Sequence, residues 1–506
     1  MATIHHTTVT PGKLELLEAW LPAQRWCANK GRTPRLRKLG GYRLDDPAGE
    51  VGIEVQVVVD EAGPTPVVYQ VPVTYRSAPL PGAESALIGE AEHGVLGHRW
   101  FYDACHDPVF VATLLGLVEG RVEAQHQDVS DRSDDTVVGV HVSGPQVTLV
   151  RSAVLRGEQS NTSIICEVED ASGAPAEPII IKLFRTLQAG DNPDVVVQSA
   201  LTEAGSTQVP QTVGYVTGTW TDPSAAQAAP HDPAHAVAGH LAFAQRFFPD
   251  VEDAWRVALR AAQTGVDFAA EARELGEATA HIHVSLSSAM GTTPTTDLTR
   301  EPLLRSVHQR YAAALAEVPS LAELDDGIQA AMARLAAADW PALQRIHGDY
   351  HLGQVLHVAE RGWVAVDFEG EPLRPLSERV LPDLALRDVA GMLRSFDYAG
   401  GSAELSHVGA DARAWVERAR GAFLDGYAAV TGTDPRTDPA SLDLLAGLEL
   451  DKALYEVVYE ARNRPGWLGI PTAAVARIVA AFTASPPSPR VSPPAPLPPH
   501  PPKDPG

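Results

Sequence analysis

The chain has 506 residues, enough for two or three domains, and its 44% hydrophobic and 21% charged residues are typical of a soluble globular protein. With 64 acidic against 40 basic residues, its formal charge of −24 disfavours nucleic acid and anionic membranes as partners. Three scattered cysteines without metal-ligand spacing, no signal peptide and no run of about 18 apolar residues predict a soluble, cytoplasmic protein without disulfides.

The first portion, residues 1–135, is predicted to be a small α+β module. Residues 13–26 have the apolar spacing of a short amphipathic helix that ends near Pro22. Residues 51–60 and 65–75 alternate apolar and polar side chains, which predicts antiparallel strands. A polar joint, DVSDRSDDT, then separates this module from the rest of the chain.

The remaining chain changes from strands to helices near residue 249, which predicts two lobes with a cleft between them. Residues 136–250 contain further strand patterns, and residues 251–484 carry apolar residues at the three-four spacing of helices. Residues 485–506 are half proline, so an extended, disordered tail is expected there.

Lys182 lies within PIIIKLFR, a β-branched run in which a lysine is costly unless an anion meets its ammonium group. An edge-strand lysine that reaches solvent is the alternative. A polar turn precedes this strand and could lay backbone N–H groups along a phosphate chain, although it lacks the glycines of the protein-kinase loop. Its candidate residues are Gln159, Ser160, Asn161, Thr162 and Ser163.

The stretch HGDYHLGQVL, followed by a strand and DFE, places three oxygen-bearing side chains at kinase-like spacing. Asp349 takes the position of the base that accepts a hydroxyl proton. Gln354 and Asp367 take the positions of the Mg²⁺ ligands, because amide and carboxylate oxygens suit a hard cation. His347 is expected to orient the loop, and His351 to have a structural or substrate-side role.

A sugar-binding surface is predicted on the helix of ELDKALYEVVYEARN. Its candidates share one face or the stripe beside it, and Trp467 could complete an aromatic platform; they are Asp451, Lys452, Tyr455, Tyr459 and Glu460. The alternative is that the tyrosines belong to the core and the charges form a solvated i, i+4 ladder. Arg387 and Asp388 are further candidates on the acceptor side.

These motifs resemble those of the actinobacterial maltokinases, relatives of the aminoglycoside phosphotransferases. Matching segments span nearly the whole chain short of the tail and include QRWCANKGR, EQSNTS, GDNPD, HGDYHLGQVL, DFEGEPLRPLSER and ARNRPGWLGIP. The resemblance implies an α+β, bilobal protein-kinase-like fold with an N-terminal cap module, a strand-rich N-lobe and a helical C-lobe. It also implies transfer of the γ-phosphoryl group of ATP to the anomeric hydroxyl of maltose, giving maltose 1-phosphate for α-glucan (glycogen) synthesis.

Carried over by position, the resemblance implies that Ser160 to Ser163 and Lys182 contact the phosphates of ATP, and that residues 241–249 form the hinge beside adenine. No glutamate stands where the family places the ion-pair partner of Lys182, so Asp194 or Glu203 is expected to serve. The segment SERVLPDLALRD replaces a more basic, serine-containing segment beside the acceptor site.

Two alternatives follow from these departures. One is a kinase for another small sugar or aminosugar, such as glucosamine, or for an aminoglycoside. The other is a catalytically idle, kinase-like binding module. A trehalose-to-maltose isomerase is a partner implied by family association, while nucleic acid and membrane are not expected partners.

Overall fold

A computed structural model describes residues 8–129, 132–155, 160–224, 235–371, 374–406 and 411–484. Gln159 of the predicted phosphate turn and the whole proline-rich segment 485–506 lie outside the described residues. The chain divides into two compact units. Unit 1 comprises Met1–Arg260, Ala278–Thr293 and Leu343–Asp388, and unit 2 comprises Ala261–Glu277, Pro294–Ala342 and Val389–Gly506.

Unit 1 begins with a seven-stranded antiparallel sheet, ordered β1-β5-β6-β4-β3-β2-β7. Its strands are β1 (Val9–Thr10), β2 (Leu36–Leu44), β3 (Gly52–Asp60), β4 (Val67–Arg76), β5 (Leu87–His93), β6 (Gly97–Asp103) and β7 (Gln125–His126). β3 and β4 form where alternating residues predicted antiparallel strands.

Both faces of this sheet are covered. Helix α1 (Lys13–Trp20) packs Leu16 and Trp20 against one face, where Val58 of β3 is buried. Val57 of β3 points to the opposite face and belongs to a second apolar cluster. Burial on both sides explains why the alternation in β3 gives way to the continuous apolar run Val57–Val59.

A second antiparallel sheet follows, ordered β8-β12-β13-β11-β10-β9. Its strands are β8 (Val138–His141), β9 (Thr148–Val154), β10 (Asn161–Glu169), β11 (Ile179–Phe184), β12 (Thr212–Thr221) and β13 (Ala236–Arg246). One apolar cluster contains Val57 of the first sheet, Phe110 of helix α2 (Pro108–Val118) and Ile181 of β11. The two sheets therefore share a core.

A small hairpin positions the sequence motif of interest. Strands β14 (Glu252–Asp253), β17 (Val355–Val358) and β18 (Gly362–Ala365) form a three-stranded sheet, while β15 (Thr292–Thr293) pairs with β16 (Leu343–Gln344). The HGD loop directly precedes β17, and the DFE segment directly follows β18. The HGD loop and the DFE segment are separated in sequence by the two strands. Pairing of β17 with β18 therefore brings them to one end of a hairpin.

The other helices follow in chain order. They are α3 (Pro193–Glu203), α4 (Ala254–Thr264), α5 (Ala269–Met290), α6 (Asp297–Glu317), α7 (Asp325–Ala337), α8 (Leu376–Arg379), α9 (Leu386–Ser406), α10 (Arg413–Thr431), α11 (Pro439–Asn463) and α12 (Gly469–Ala484). In unit 2, the long helix α11 packs against α6, α7 and α12. The predicted change from strands to helices along the chain is confirmed.

One stretch of the described residues, Pro465–Phe482, is long and apolar enough to cross a membrane by length and composition alone. It departs from the expectation that no such stretch exists, but a helix in a protein core passes the same test, and 33% of this stretch is buried. The stretch includes Arg477, which pairs with Asp397. The three cysteines are buried free thiols, as expected.

Candidate active site

Lys182 lies on β11, inside the second sheet, and its ammonium group is held by two carboxylates. Lys182 Nζ donates to Asp194 Oδ2 and to Asp367 Oδ1, each at 2.8 Å. Asp194 lies in the first turn of α3, where the side chain of Asn192 caps the helix and accepts from the Asp194 N–H. Of the two carboxylates that the sequence left open, Asp194 contacts the lysine, and Glu203 is exposed.

Asp194 also holds the backbone of the DFE segment. Its other oxygen, Oδ1, accepts from the Phe368 N–H at 2.7 Å and from Gln198 Nε2 at 2.5 Å. The carboxylate is fully buried, so the three donors Lys182, Phe368 N–H and Gln198 replace the water that it loses. One side chain thus fixes both the lysine and the segment that follows β18.

Charges in this cluster shift its ionisation strongly. Burial alone would lower the pKa of Lys182, but Asp194, Asp367 and Glu369 outweigh it and raise that pKa well above its usual value. The charge of Lys182 lowers the pKa of Asp367. Burial, reinforced by the charge of Asp367, raises the pKa of Glu369 to about 7.

Three carboxylates meet at this point with the oxygen chemistry of a divalent cation site. One oxygen from each of Asp194, Asp367 and Glu369 lies within 4.8 Å of the others. Gln354 Nε2 donates to Asp367 Oδ2 at 3.2 Å, so the two predicted metal ligands are neighbours. Asp367 has φ of 68°, a left-handed conformation that a non-glycine residue adopts at a cost and that is frequent at functional sites.

The HGD loop is anchored from below by Asp388, in the first turn of α9. Asp388 Oδ2 accepts from the His347 N–H at 2.8 Å, and Oδ1 accepts from the Gly348 N–H at 2.9 Å. His283 Nε2 lies 3.1 Å from Asp388 Oδ2. Burial raises the pKa of Asp388, but hydrogen bonding and charge from His283 outweigh it and lower the pKa overall, so the carboxylate stays ionised.

His347 joins the HGD loop to the DFE segment, consistent with the orienting role expected for it. Its Nε2 donates to the Val366 carbonyl at 2.9 Å, and its ring lies 4.5 Å from that of Phe368. Gly348, at φ 83°, passes so close to Gly370 that a Cβ there would lie 3.2 Å from the Gly370 Cα. Asp349 follows this turn with its side chain half-buried.

The described residues of the predicted phosphate turn differ in their surroundings. Ser160 is exposed, and Asn161 Nδ2 donates to Glu369 Oε1 at 3.3 Å. Thr162 is buried, and its hydroxyl accepts from Arg185 Nε at 2.8 Å. Ser163 is buried opposite Lys182 in the β10–β11 register. Contact of this turn with phosphate remains a prediction, as does the adenine hinge at 241–249.

Sequence reasoning missed Arg185, three residues beyond Lys182. Its guanidinium is fully buried and donates to both oxygens of Asp103, at 2.8 and 2.6 Å. Asp103 ends β6 of the first sheet, so this pair joins the two sheets. The only sequence signal was a second cation directly after the β-branched strand that carries Lys182.

The acceptor-side candidates of unit 1 make contacts within the protein. Arg387 Nε donates to Asp383 Oδ2 at 2.8 Å, one helical turn earlier in sequence. Asp388 holds the HGD loop, as described above. The structure therefore places Asp388 under the loop backbone, which differs from the acceptor contact expected from its sequence position.

The candidates of unit 2 form two groups along α11. Asp451 is buried, and its Oδ2 accepts from Arg310 Nη1 at 2.8 Å. The Arg310 guanidinium and Lys452 Nζ lie 5.4 and 5.0 Å from the ring centroid of Tyr455. Glu460 is buried and accepts from the Tyr398 hydroxyl at 3.1 Å.

The second group is aromatic and partly open. Tyr459 is 42% exposed, and the Arg464 guanidinium lies 5.4 Å from its ring centroid and 4.7 Å from that of Trp467. Trp467 stacks on Tyr398 with ring centroids 6.2 Å apart. Trp467 also lines a pocket of ≈ 540 Å³ in unit 2, with apolar walls that include Ile470.

Two known families match this chain. Residues 20–107 match the Maltokinase N-terminal cap domain, and residues 200–442 match the Phosphotransferase enzyme family. Together they cover more than half of the chain and contain Lys182's partner strand β13, the HGD loop and the DFE segment.

Two curated relatives are glucosamine kinases. The one from Streptacidiphilus jiangxiensis is 31% identical over 208 residues, which is 40% of this chain and 47% of the relative. The one from Mycolicibacterium smegmatis is 28% identical over 335 residues, or 63% of this chain and 77% of the relative. The match thus spans about half the length of the first relative and three quarters of the second.

Solved structures of similar fold include a glucosamine kinase in complex with glucosamine, ADP and inorganic phosphate. It has a TM-score of 0.64 at 22% identity, and the alignment covers 93% of this chain and 99% of that one. A second crystal form of glucosamine kinase gives a TM-score of 0.65 at the same identity. This likeness confirms the predicted kinase-like α+β fold. The chain therefore combines a maltokinase N-terminal cap domain, at residues 20–107, with a phosphotransferase enzyme family domain at residues 200–442.

Proposed function

We propose that this protein is an ATP-dependent sugar kinase. The observation that carries the proposal is the meeting of Lys182 with Asp194 and Asp367 at the base of the hairpin that also bears the HGD loop. Phosphoryl transfer needs a lysine that is held by carboxylates, oxygen ligands for a divalent cation and a positioned proton acceptor, and this site offers residues for each. The family match and the named activity of the relatives support the same class of reaction.

In this proposal Asp349 accepts the proton of the sugar hydroxyl. The hydroxyl oxygen then forms a bond to the γ-phosphorus of ATP, while the bond between that phosphorus and the β,γ-bridging oxygen breaks and ADP leaves. Lys182 contacts the phosphate chain, kept cationic by Asp194 and Asp367. Hydrogen bonds from His347 and Gly348 to Asp388 hold the loop in place, so Asp349 needs no reorganisation to reach the acceptor.

The residues present also fit Mg²⁺. Asp367, Gln354 and Glu369 offer hard oxygen donors, and the cluster of carboxylates would be relieved of mutual repulsion by a divalent cation. When bound, the cation would neutralise charge on the phosphates. Asp194 is already engaged by three donors, so we assign it to positioning rather than to the metal.

For the acceptor we propose maltose, phosphorylated at its anomeric hydroxyl to maltose 1-phosphate for α-glucan synthesis. The cap-domain match and the motifs quoted above support this choice. Trp467, Tyr459 and their shared cation Arg464 are the proposed sugar contacts in unit 2. We further propose that the enzyme acts in the cytoplasm, where ATP is supplied, with a trehalose-to-maltose isomerase as a partner.

Glucosamine is the second candidate, because both curated relatives are named glucosamine kinases. The acidic stretch DFEGE, which contains Glu369 and Glu371, would suit an amino group. Recognition of maltose, a neutral disaccharide, would therefore depend on the aromatic contacts. Recognition of glucosamine, a cationic monosaccharide, would depend on the acidic ones.

The test is ATP consumption with Mg²⁺ across maltose, glucosamine, glucose and an aminoglycoside. We expect turnover with maltose, a product that yields maltose on phosphatase treatment, and no turnover by an Asp367→Asn control. Turnover with glucosamine alone would keep the kinase and reject maltose. ATP binding without turnover on any acceptor would favour the idle binding module.

A further inference from the structure

A pocket of ≈ 600 Å³ opens on the first sheet, between the start of α1 and the strands β2, β3 and β4. Its volume falls in the range of small-molecule sites, about 300 to 1,000 Å³. Its wall is mostly polar, although it lies next to an apolar core. The polar side chains of its lining include Lys13, Lys38, Arg43, Glu54, Gln56 and Gln127. We call this cavity the N-terminal pocket.

Arg43 is the feature that needs an explanation. Arg43 is only 6% exposed, and its buried Nε has no hydrogen-bond partner among the residues that the structure describes. Arg43 lies on β2, opposite Glu54 of β3 and Gln125 of β7, so its side chain forms part of the pocket wall. Burial of a guanidinium N–H without a partner is costly, since that donor loses water and gains no hydrogen bond in exchange.

The other charges around the pocket are already matched. Lys13 Nζ donates to both oxygens of Glu54, at 2.7 and 2.6 Å, and Gln56 Nε2 donates to Glu54 at 2.9 Å. Lys38 pairs with Asp128 at 3.5 Å. Glu54, the carboxylate directly across from Arg43, is therefore engaged by other donors, and Glu15, a further carboxylate of the lining, accepts from the Gly12 N–H. The Arg43 Nε is left without an acceptor among the described residues.

Gln127 adds a second buried atom that points to a ligand. Its Oε1 accepts no hydrogen bond within the described part of the chain. A guanidinium calls for an anion with two coplanar oxygens, and an orphan amide oxygen calls for a hydroxyl or other donor. The two requirements, in a cavity of this size, describe one small molecule.

We propose that the N-terminal pocket binds a small polyhydroxylated anion, whose phosphate or carboxylate pairs with Arg43 and whose hydroxyl groups contact Gln127 and Gln56. A sugar phosphate and a sugar acid both have this chemistry. The site belongs to the first sheet and is separate from the Lys182 cluster, so it does not depend on the function proposed above.

The test is isothermal titration with glucose 1-phosphate, glucuronate, glucose and inorganic phosphate. Wild type and Arg43→Gln are compared, with Arg37→Gln as the matched control, because Arg37 lies on the same strand but pairs with Glu61 outside the pocket lining. We expect glucose 1-phosphate or glucuronate to bind wild type and the control, and binding to weaken about tenfold or more in Arg43→Gln. The stronger of the two ligands identifies phosphate or carboxylate as the recognised group.

Other outcomes would overturn the proposal. Equal binding to wild type and Arg43→Gln would place the ligand elsewhere, and equal binding of glucose would show that charge is not recognised. Inorganic phosphate as tight as glucose 1-phosphate would mean an adventitious ion only.

A melting experiment covers the case in which Arg43 is merely structural. Without ligand, Arg43→Gln should melt at the wild-type temperature or above, because the change removes a buried N–H that has no hydrogen-bond partner among the described residues. If Arg43→Gln does not fold, Arg43→Lys keeps the charge but loses the planar pair of donors, and should bind more weakly than wild type. Destabilisation of both variants, with no ligand bound by wild type, would reject the site.

Discussion

Asp349 stands half-buried after the left-handed turn at Gly348, and its proposed task is to accept and orient a hydroxyl proton. Asp349→Asn keeps the size of the side chain but removes that capacity. We expect turnover to fall by about 10²- to 10⁴-fold while nucleotide binding survives. Steady-state kinetics and an ATP titration measure the two effects, and turnover within about threefold of wild type would contradict the assignment.

Asp194 offers a second test, because it contacts Lys182 and the Phe368 N–H without a predicted contact to substrate. Asp194→Asn retains one acceptor but loses the charge beside the lysine. We expect kcat/KM for ATP to fall by about tenfold to hundredfold, the size of a charge-assisted hydrogen bond. Glu203→Gln, an exposed change on the same helix, is the control and should match wild type. Equal effects of the two changes on kcat/KM would contradict a role of Asp194 in supporting Lys182.

Glu369 makes stability depend on pH in the metal-free protein. Its folded pKa, about 7, lies above the value of an unfolded glutamate, so the folded state binds the proton more tightly. The stabilisation is complete below about pH 4.5 and is lost as pH rises through about 7. Between these limits the free energy of unfolding of wild type should fall by on the order of 1 kcal/mol relative to Glu369→Gln.

Urea unfolding without divalent cations at about pH 5 and pH 8 measures this difference. Added Mg²⁺ should reduce it, because a cation at the carboxylates favours the ionised form of Glu369. Parallel pH profiles for wild type and Glu369→Gln would show that Glu369 titrates normally.

At this scale the sequence predicted the residues that stand in one local motif and missed their tertiary partners. Gln354 and Asp367 lie at the two ends of the β17–β18 hairpin, only 13 positions apart in sequence, so their contact follows from a local motif. Asp388 was expected on the acceptor side but lies under the loop, since an aspartate in the first turn of a helix reads the same whether it faces a ligand or a neighbouring backbone. The sequence left either Asp194 or Glu203 as the partner of Lys182, and only the position of α3 shows that the partner is Asp194.

At the level of elements, the HGD loop is held by hydrogen bonds from its backbone to Asp388, at the start of α9. Asp388→Asn turns one acceptor oxygen into a donor, which then faces the N–H of His347 or Gly348. We expect a loss of about 1.5 to 3 kcal/mol in stability and a lower kcat, with KM for ATP nearly unchanged. Thermal unfolding and kinetics measure both.

Glu378→Gln, on the exposed surface of α8, is the control for Asp388→Asn. If Asp388→Asn instead raised only the KM for the sugar, Asp388 would be an acceptor contact, as its sequence position first indicated.

Strands were predicted closely and the first helix less so. The alternation in 51–60 matches β3, and the run around Lys182 matches β11, because burial on a pleated sheet leaves a period of two or a continuous apolar run. Helix α1 ends at Trp20, earlier than the apolar spacing indicated, and Pro22 lies in the following 3₁₀ turn, Leu21–Ala23. Residues around a proline keep helical spacing after the helix itself has ended.

At the scale of the whole molecule, the acceptor and the nucleotide should respond separately to mutation. Trp467 lines the pocket of unit 2, whereas the proposed ATP contacts belong to unit 1. We expect Trp467→Ala to raise the KM for maltose by about tenfold, equivalent to about 1.4 kcal/mol, with the KM for ATP unchanged.

The matched control is Trp340→Phe, at a buried tryptophan of unit 2 whose indole N–H donates to the Leu335 carbonyl. It should lower the melting temperature without changing either KM. A rise in both KM values for Trp467→Ala, with a lower melting temperature, would make Trp467 a core residue.

The order of strands and helices along the chain was predictable, because it follows from local periodicity. The joining of the two sheets was not, since it depends on residues distant in sequence. Arg185 and Asp103 are 82 residues apart, and neither position carries a local pattern that indicates the other. The domain boundary predicted at residue 135 therefore remains a prediction.

The buried pair of Arg185 and Asp103 limits which truncated or chimeric forms of this protein can fold. A shortened chain that starts at residue 136 would strand the guanidinium of Arg185 in an apolar core, and loss of one partner from such a pair costs about 3 to 5 kcal/mol. That is a large share of the roughly 5 to 15 kcal/mol by which domains are stable. Exchange of the N-terminal portion between related enzymes should therefore succeed only when the incoming portion brings a carboxylate to the position of Asp103.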